Sequence, residues 1–225
     1  MARHPAGGKP ALIIFDFDGV IADSELLASE VLSEHLTSLG YRTTIDDVYE
    51  HFLGQNWKDC MDKFEQLWGV PAPDSWRAEV HGKIFARTAD VVPVPGVGAF
   101  IDGTAGIARC IASSSPPEWI EGRLRDFGLA AHFTDAIFSA AVHVARGKPH
   151  PDIYLHATSA MGFAPDQTLV IEDSVTGVTA AVAAGMRVIG LCAASHVRDG
   201  HGDRLRAAGA DVICHSFAEV QRLLD

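Results

Sequence analysis

Short continuous apolar runs alternate with helical spacings along most of the chain. Leu12-Ile13-Ile14-Phe15, Ile107 to Ala112, Ala136-Ile137-Phe138, Leu169-Val170-Ile171, Arg187 to Leu191 and Asp211-Val212-Ile213 read as strands. Because the runs are unbroken rather than alternating, both faces of these strands are covered, which is the signature of a parallel sheet. Pro117 to Phe127 places Trp119, Ile120, Leu124 and Phe127 on helical spacing and stops at Gly128. Ser174 to Ala184 is an Ala-rich helix closed by Gly185, in the usual place for a C-terminal glycine. This alternation predicts an α/β fold with a doubly wound, Rossmann-like core.

One stretch breaks the alternation. From Ser24 to about Asp90 only helix patterns occur. Ser24 is expected to cap a helix carrying Leu27, Val31, Leu32, His35 and Leu39, closed by Gly40. Asp46 to Leu53 is a second helix, ended by Gly54. Trp57, Met61, Phe64, Leu67 and Trp68 mark a third, ended by Gly69, and Asp74 to about Ala89 a fourth. The expected organisation is a core of residues 10–22 and 95–225, a helical insertion over 23–94 and a loose tail over 1–9.

Composition narrows the class. At 225 residues and 48% hydrophobic, the chain can bury a sizeable core without a disulfide or metal staple. The net charge is −11 and no Lys/Arg run occurs, which argues against nucleic acid and against anionic membranes as partners. No apolar run approaches the roughly 18 residues of a membrane span. Cys60, Cys110, Cys192 and Cys214 are far apart among apolar neighbours and read as buried small hydrophobes. A reducing, cytoplasmic setting fits them, and nothing in the sequence calls for an obligate protein partner.

Candidate chemistry falls at strand ends. Asp16-Phe17-Asp18-Gly19 follows the first strand directly, where open α/β sheets bind ligands. Two carboxylates so close require a cation or a shared proton. Ser113-Ser114-Ser115 follows the second strand and offers hydroxyls and backbone N–H groups to a phosphate, or a simple helix cap. Gly147-Lys148-Pro149 supplies a point cation, with Pro149 expected in the first turn of a helix. Glu172-Asp173-Ser174 puts acids at the end of a further strand. Taken together, acids, hydroxyls, a lysine and acids at one sheet edge suit Mg²⁺, a hard cation that prefers oxygen ligands, and a phosphoryl group.

At these residues the chain resembles the haloacid dehalogenase superfamily of Mg²⁺-dependent phosphohydrolases. The resemblance rests on F-D-F-D-G-V at Phe15 to Val20, I-A-S-S-S at Ile111 to Ser115, G-K-P-H-P-D at Gly147 to Asp152 and I-E-D-S at Ile171 to Ser174. The helical insertion resembles the cap of the β-phosphoglucomutase-like, sugar-phosphatase branch. The resemblance implies that Asp16 is the nucleophile forming an aspartyl-phosphate and that Asp18 is the general acid/base. It implies that Ser113 and Lys148 bind the phosphoryl group. It also implies a metal held by Asp16, the backbone carbonyl of Asp18, Asp173 and, directly or through the outer shell, Glu172. Gly54, Asn56, Trp57 and Lys58 would form the cap's specificity loop, with Ser114 and Ser115 as further substrate contacts, although Trp57 also reads as cap core.

The details favour hydrolysis. Dehalogenases lack the second acid, here Asp18. The mutase branch carries a His downstream of the nucleophile where this chain has Ala28, and an Arg in the cap loop where this chain has no equivalent. The expectation is a phosphatase for a small phosphorylated metabolite, a sugar or sugar-acid phosphate such as 6-phosphogluconate. A hexose-phosphate mutase is the enzymatic alternative and a non-catalytic phosphometabolite-binding protein the other. His196 and His201, with His215, read as a solvated loop in preference to a second metal site.

Overall fold

The computed structural model describes residues 9–53 and 57–225. In chain order the elements are β1 (Leu12–Phe15), β2 (Ala22–Asp23), α1 (Glu25–Ser38), α2 (Ile45–His51), α3 (Trp57–Trp68), α4 (Trp76–Ala86) and β3 (Val92–Pro93). There follow α5 (Val97–Gly103), β4 (Ala108–Ser113), α6 (Pro117–Asp126), β5 (Ile137–Ser139), α7 (Ala140–His143) and α8 (Asp152–Ala160). The chain ends with β6 (Thr168–Glu172), α9 (Val175–Ala183), β7 (Arg187–Leu191), α10 (His201–Ala207), β8 (Val212–Cys214) and α11 (Phe217–Leu224). It divides into two compact units, one running up to Asp23 and resuming over Val92–Asp225, the other Ser24–Val91.

The first unit is built on a six-stranded sheet in the order β5-β4-β1-β6-β7-β8. Every pairing in it is parallel. The unbroken apolar runs explain why. Leu12, Ile13, Ile14 and Phe15 are all fully buried, so both faces of β1 need cover. Leu12 and Ile14 join Ile153, Tyr154 and Ala157 of α8, Val178 and Ala181 of α9 and Leu205 of α10 in one core layer. On the other face Phe15 meets Phe100 of α5 and Phe133 edge-on, with ring centroids 6.0 and 5.8 Å apart. Phe217 of α11 closes against Phe100 at 5.1 Å. Burying each such side chain contributes about 1.5–3 kcal/mol. The doubly wound, Rossmann-like reading of the sequence is borne out, and all six strands fall within about a residue of their predicted runs. Their order places β1 between strands that wind away in opposite directions, so the sheet's switch point lies at its carboxyl end.

β2 and β3 form a small antiparallel ribbon at the two ends of the inserted unit. That unit holds α1–α4. Trp76 and Phe64 are fully buried, and their rings pack at 5.1 Å. Thr44 caps α2 reciprocally: its Oγ1 accepts from the Asp47 N–H at 3.2 Å, while Asp47 Oδ2 accepts from the Thr44 N–H at 2.7 Å. Ser24 departs from its expected role. It precedes α1, but its backbone is already helical (φ −106°, ψ −18°) and its hydroxyl does not cap the first turn. Pro149 also differs, lying in the loop ahead of α8 rather than in its first turn. All four cysteines are buried, as read. Among the described residues no helix is long and apolar enough to cross a membrane.

Candidate active site

Register brings the chemistry to one edge. Phe15 lies opposite Ile111 of β4 and Ile171 of β6. Outward of that rung lie Asp16 on the central strand, Ser113 one residue beyond Ala112 on β4, and Glu172 followed by Asp173 at the end of β6. The Asp16 N–H still donates to the Ile171 carbonyl at 3.0 Å, which fixes Asp16 to the end of the central strand. Lys148 reaches this edge from the loop ahead of α8. Its ammonium donates to Asp16 Oδ1 at 2.6 Å and to Glu172 Oε1 at 2.7 Å.

Glu172 is fully buried and fully engaged. Its Oε1 accepts from Lys148 and from the Tyr154 hydroxyl at 2.9 Å, and its Oε2 from the N–H and Oγ of Ser174 at 2.8 and 2.9 Å. A carboxylate offers about four acceptor positions, and all are taken. Tyr154 also sets its ring face 5.0 Å from the Lys148 ammonium. Asp173 is gripped from the loop after β7 and from the first residue of α10. His196 Nε2 lies 3.2 Å from its Oδ2, and His201 Nε2 donates to its backbone carbonyl at 2.6 Å.

Two glycines leave room for these acids. At Gly19, whose φ is +79°, a Cβ would fall 1.8 Å from Asp173 Oδ2. At Gly177 a Cβ would fall 1.5 Å from Glu172 Oε1. The D-x-D-G and E-D-S-x-x-G spacings are thus cradles for the carboxylates opposite.

Charge is unbalanced here. Asp16, Glu172 and Asp173 each present an oxygen within 4.8 Å of the others, and all three are buried. One ammonium serves them. Burial pushes the Asp16 carboxyl well above its usual range, Lys148 pulls it down, and the repulsion of Glu172 and Asp173 adds to the rise. Asp173 is raised by burial and then by Glu172. For Lys148 burial works against the charge, but Asp16 and Glu172 outweigh it and hold the ammonium protonated. A buried cluster of hard oxygen donors with surplus negative charge fits a divalent oxygen-seeking cation. Asp16 and Asp173 would hold it; Glu172, its acceptors spent, anchors Lys148 beside them.

Ser113, also buried, accepts from the Ser115 N–H at 3.0 Å through its Oγ. Ser139, opposite Ser113 on β5, donates its hydroxyl to the Ser115 carbonyl at 2.7 Å. Ser115 turns its own hydroxyl onto Asp18 Oδ2 at 2.5 Å, and the Trp119 indole N–H meets Asp18 Oδ1 at 3.0 Å.

Residues 10–185 match the haloacid dehalogenase-like hydrolase family. The chain belongs to that family. A haloacid dehalogenase-like protein of unknown function from Agrobacterium tumefaciens superposes on it with a TM-score of 0.86 at 37% identity, over 97% of this chain and 98% of that one. Hexitol phosphatase B of Escherichia coli K12 is 32% identical over 78% of this chain and 81% of its own length. The 6-phosphogluconate phosphatase of the same organism is 26% identical over 82% of this chain and 83% of its own.

In this haloacid dehalogenase-like hydrolase the four motifs do converge: Asp16, Asp18, Ser113, Lys148, Glu172 and Asp173 share one edge of the first unit. Ser114 is exposed next to them. Gly54 and Asn56 lie outside the described residues. Trp57 and Lys58 belong to the Ser24–Val91 unit. There the Trp57 indole donates to His81 Nε2 at 2.9 Å and packs edge-on against Trp76 at 5.3 Å. Lys58 is exposed and pairs with Asp62 at 2.9 Å. The solvated-loop reading of the histidines is corrected: His196 and His201 are buried against Asp173 because the loop after β7 folds back onto the sheet edge. Only His215 of that group is exposed. Trp119 was legible as a residue on helical spacing but not as a site residue, and nothing in the sequence analysis singled out Tyr154. Their fixed distances from Lys148 and from the serine run were the signals available.

Proposed function

We propose that this hydrolase is a Mg²⁺-dependent phosphatase for a small phosphorylated metabolite, a sugar or sugar-acid phosphate of the 6-phosphogluconate kind. The observation that carries this reading is the buried Asp16–Lys148–Glu172 bridge beside Asp173, with Asp18 and Ser113 on the same edge. The named phosphatases among its relatives support the substrate class.

Asp16 attacks phosphorus through a carboxylate oxygen. The bond to the ester oxygen breaks, and the departing alkoxide takes a proton from Asp18. Asp18, now a carboxylate, takes a proton from water. The oxygen of that water bonds phosphorus, the Asp16–phosphorus bond breaks, and inorganic phosphate leaves with Asp16 restored. Lys148 and the Ser113 hydroxyl bind phosphoryl oxygens, and Lys148 keeps Asp16 oriented through Oδ1. Asp16, Asp173 and the Asp18 carbonyl would hold Mg²⁺, which supplies charge compensation for a dianionic ester entering an acidic edge. Ala28 in place of the mutase branch's histidine favours net hydrolysis over isomerisation.

The test is a phosphate-release screen across sugar and sugar-acid phosphates, with and without Mg²⁺. Release of stoichiometric inorganic phosphate that stops on chelation is expected. Asp16→Asn is expected to abolish release with an unchanged melting temperature. Isomerised hexose phosphate with little free phosphate would instead identify a mutase. Silence across the whole panel would identify a binding protein.

A further inference from the structure

Asp18 has to carry a proton in one chemical step and lose it in the next, so what touches its two oxygens matters. Two contacts there differ in kind. The indole N–H of Trp119 is a donor and nothing else, whereas the Ser115 hydroxyl both donates and accepts. Trp119 donates to Oδ1 at 3.0 Å and Ser115 meets Oδ2 at 2.5 Å.

We infer that Trp119 and Ser115 are positioning residues for Asp18: they hold its two carboxyl oxygens, Trp119 from the start of α6 and Ser115 from the turn after β4, and so fix the orientation in which Asp18 exchanges a proton with the substrate. The supporting framework is rigid. Trp119 is buried in the first turn of α6, which Pro117 opens. The Arg123 guanidinium lies 5.3 Å from its ring. Ser115 is pinned through its backbone on both sides, its N–H to Ser113 and its carbonyl to Ser139. The Ser115 hydroxyl thus serves the acid/base, a task beyond the substrate contact expected of it.

This inference rests on the acid/base reading of Asp18, and the test separates the two. The measured quantity is kcat/KM, which covers the steps up to release of the alcohol. Two substrates are compared: the fastest sugar phosphate of the panel, whose alkoxide needs a proton to leave, and p-nitrophenyl phosphate, whose phenolate does not. Trp119→Phe and Ser115→Ala are expected to lower kcat/KM for the sugar phosphate at least about tenfold more than for the aryl ester, within the roughly 100- to 10,000-fold that general acid catalysis contributes. Ser115→Thr, which keeps a hydroxyl, is expected to restore most of the difference. Asp18→Asn serves as the reference. If Asp18→Asn shows the selective loss and the other variants depress both substrates equally, or neither, the positioning role is overturned while the acid/base role stands. If Asp18→Asn itself shows no selectivity, both fall. Ser115→Ala replaces a small side chain, so it decides the matter should Trp119→Phe fail to fold.

Discussion

Four donors converge on Glu172, and Gly177 makes the space for it. Gly177→Ala would drive a methyl group into Oε1, so the carboxylate must move and release at least one donor. Leaving a buried charged group short of a partner costs about 1–3 kcal/mol or more. We expect a clear drop in melting temperature and a weaker Mg²⁺ midpoint for phosphate release, since Lys148 loses its anchor; wild-type values for both would contradict the account. At this scale the sequence announces the acids well. Asp16 and Asp173 follow apolar strands directly, and position on a strand fixes position at the edge. It hides the residues that orient them. Tyr154 carries an aromatic ring in a core layer and a hydroxyl on Glu172 at once, and only packing reveals the second use. His196 and His201 look polar and loop-borne until the loop is folded back onto Asp173.

Among the elements, α9 ties structure to chemistry most directly. Its N-cap residue Ser174 accepts from the Gly177 N–H at 3.0 Å and donates to Glu172. Ser174→Ala removes the cap, at a cost of about 1 kcal/mol, and one of the Glu172 donors. Thermal denaturation is expected to show a larger loss than Thr44→Ala produces, because Thr44 caps a helix that touches none of these acids; equal losses would show that the Glu172 bond contributes nothing. The strands were readable because continuous burial leaves a continuous apolar run, as in β1 and β6. Short helices such as α5 and α10 were not. Seven residues give too few turns for a periodicity to stand out, and α10 is held by Leu205 against the sheet rather than by a pattern of its own. Ser24 shows the opposite failure: a good capping residue in the right place whose backbone is already helical.

For the molecule as a whole, metal, protons and stability are linked. Burial raises Asp16 and Asp173 above the ordinary carboxylate range. Without metal, the folded state therefore holds protons that the unfolded chain has released. Stability present below the unfolded carboxylate pKa is then lost as pH rises through the folded values. Under the proposed function Mg²⁺ would displace those protons on binding, and its stabilisation would grow with pH. Melting curves with and without Mg²⁺ at pH 5.5 and pH 8 are expected to show the larger shift at pH 8. A shift that shrinks with pH would remove Asp16 and Asp173 as the ligands. The net charge of −11 sets the background for this linkage, since the buried acids sit in an acidic protein.

The ribbon of β2 and β3 bears on how such a chain folds. Its residues pair Asp23 with Val92, so the entry and exit of the whole Ser24–Val91 segment face each other across one rung of the ladder. To the sheet, the segment is a single long loop between β1 and β4. Closing a loop costs entropy that grows only with the logarithm of its length. A segment whose ends are paired shortens the loop that β1 and β4 must close. The same geometry makes the segment exchangeable. Any piece of chain that ends in two neighbouring strands can occupy the place without altering the register that carries Asp16 and Ser113 to one edge.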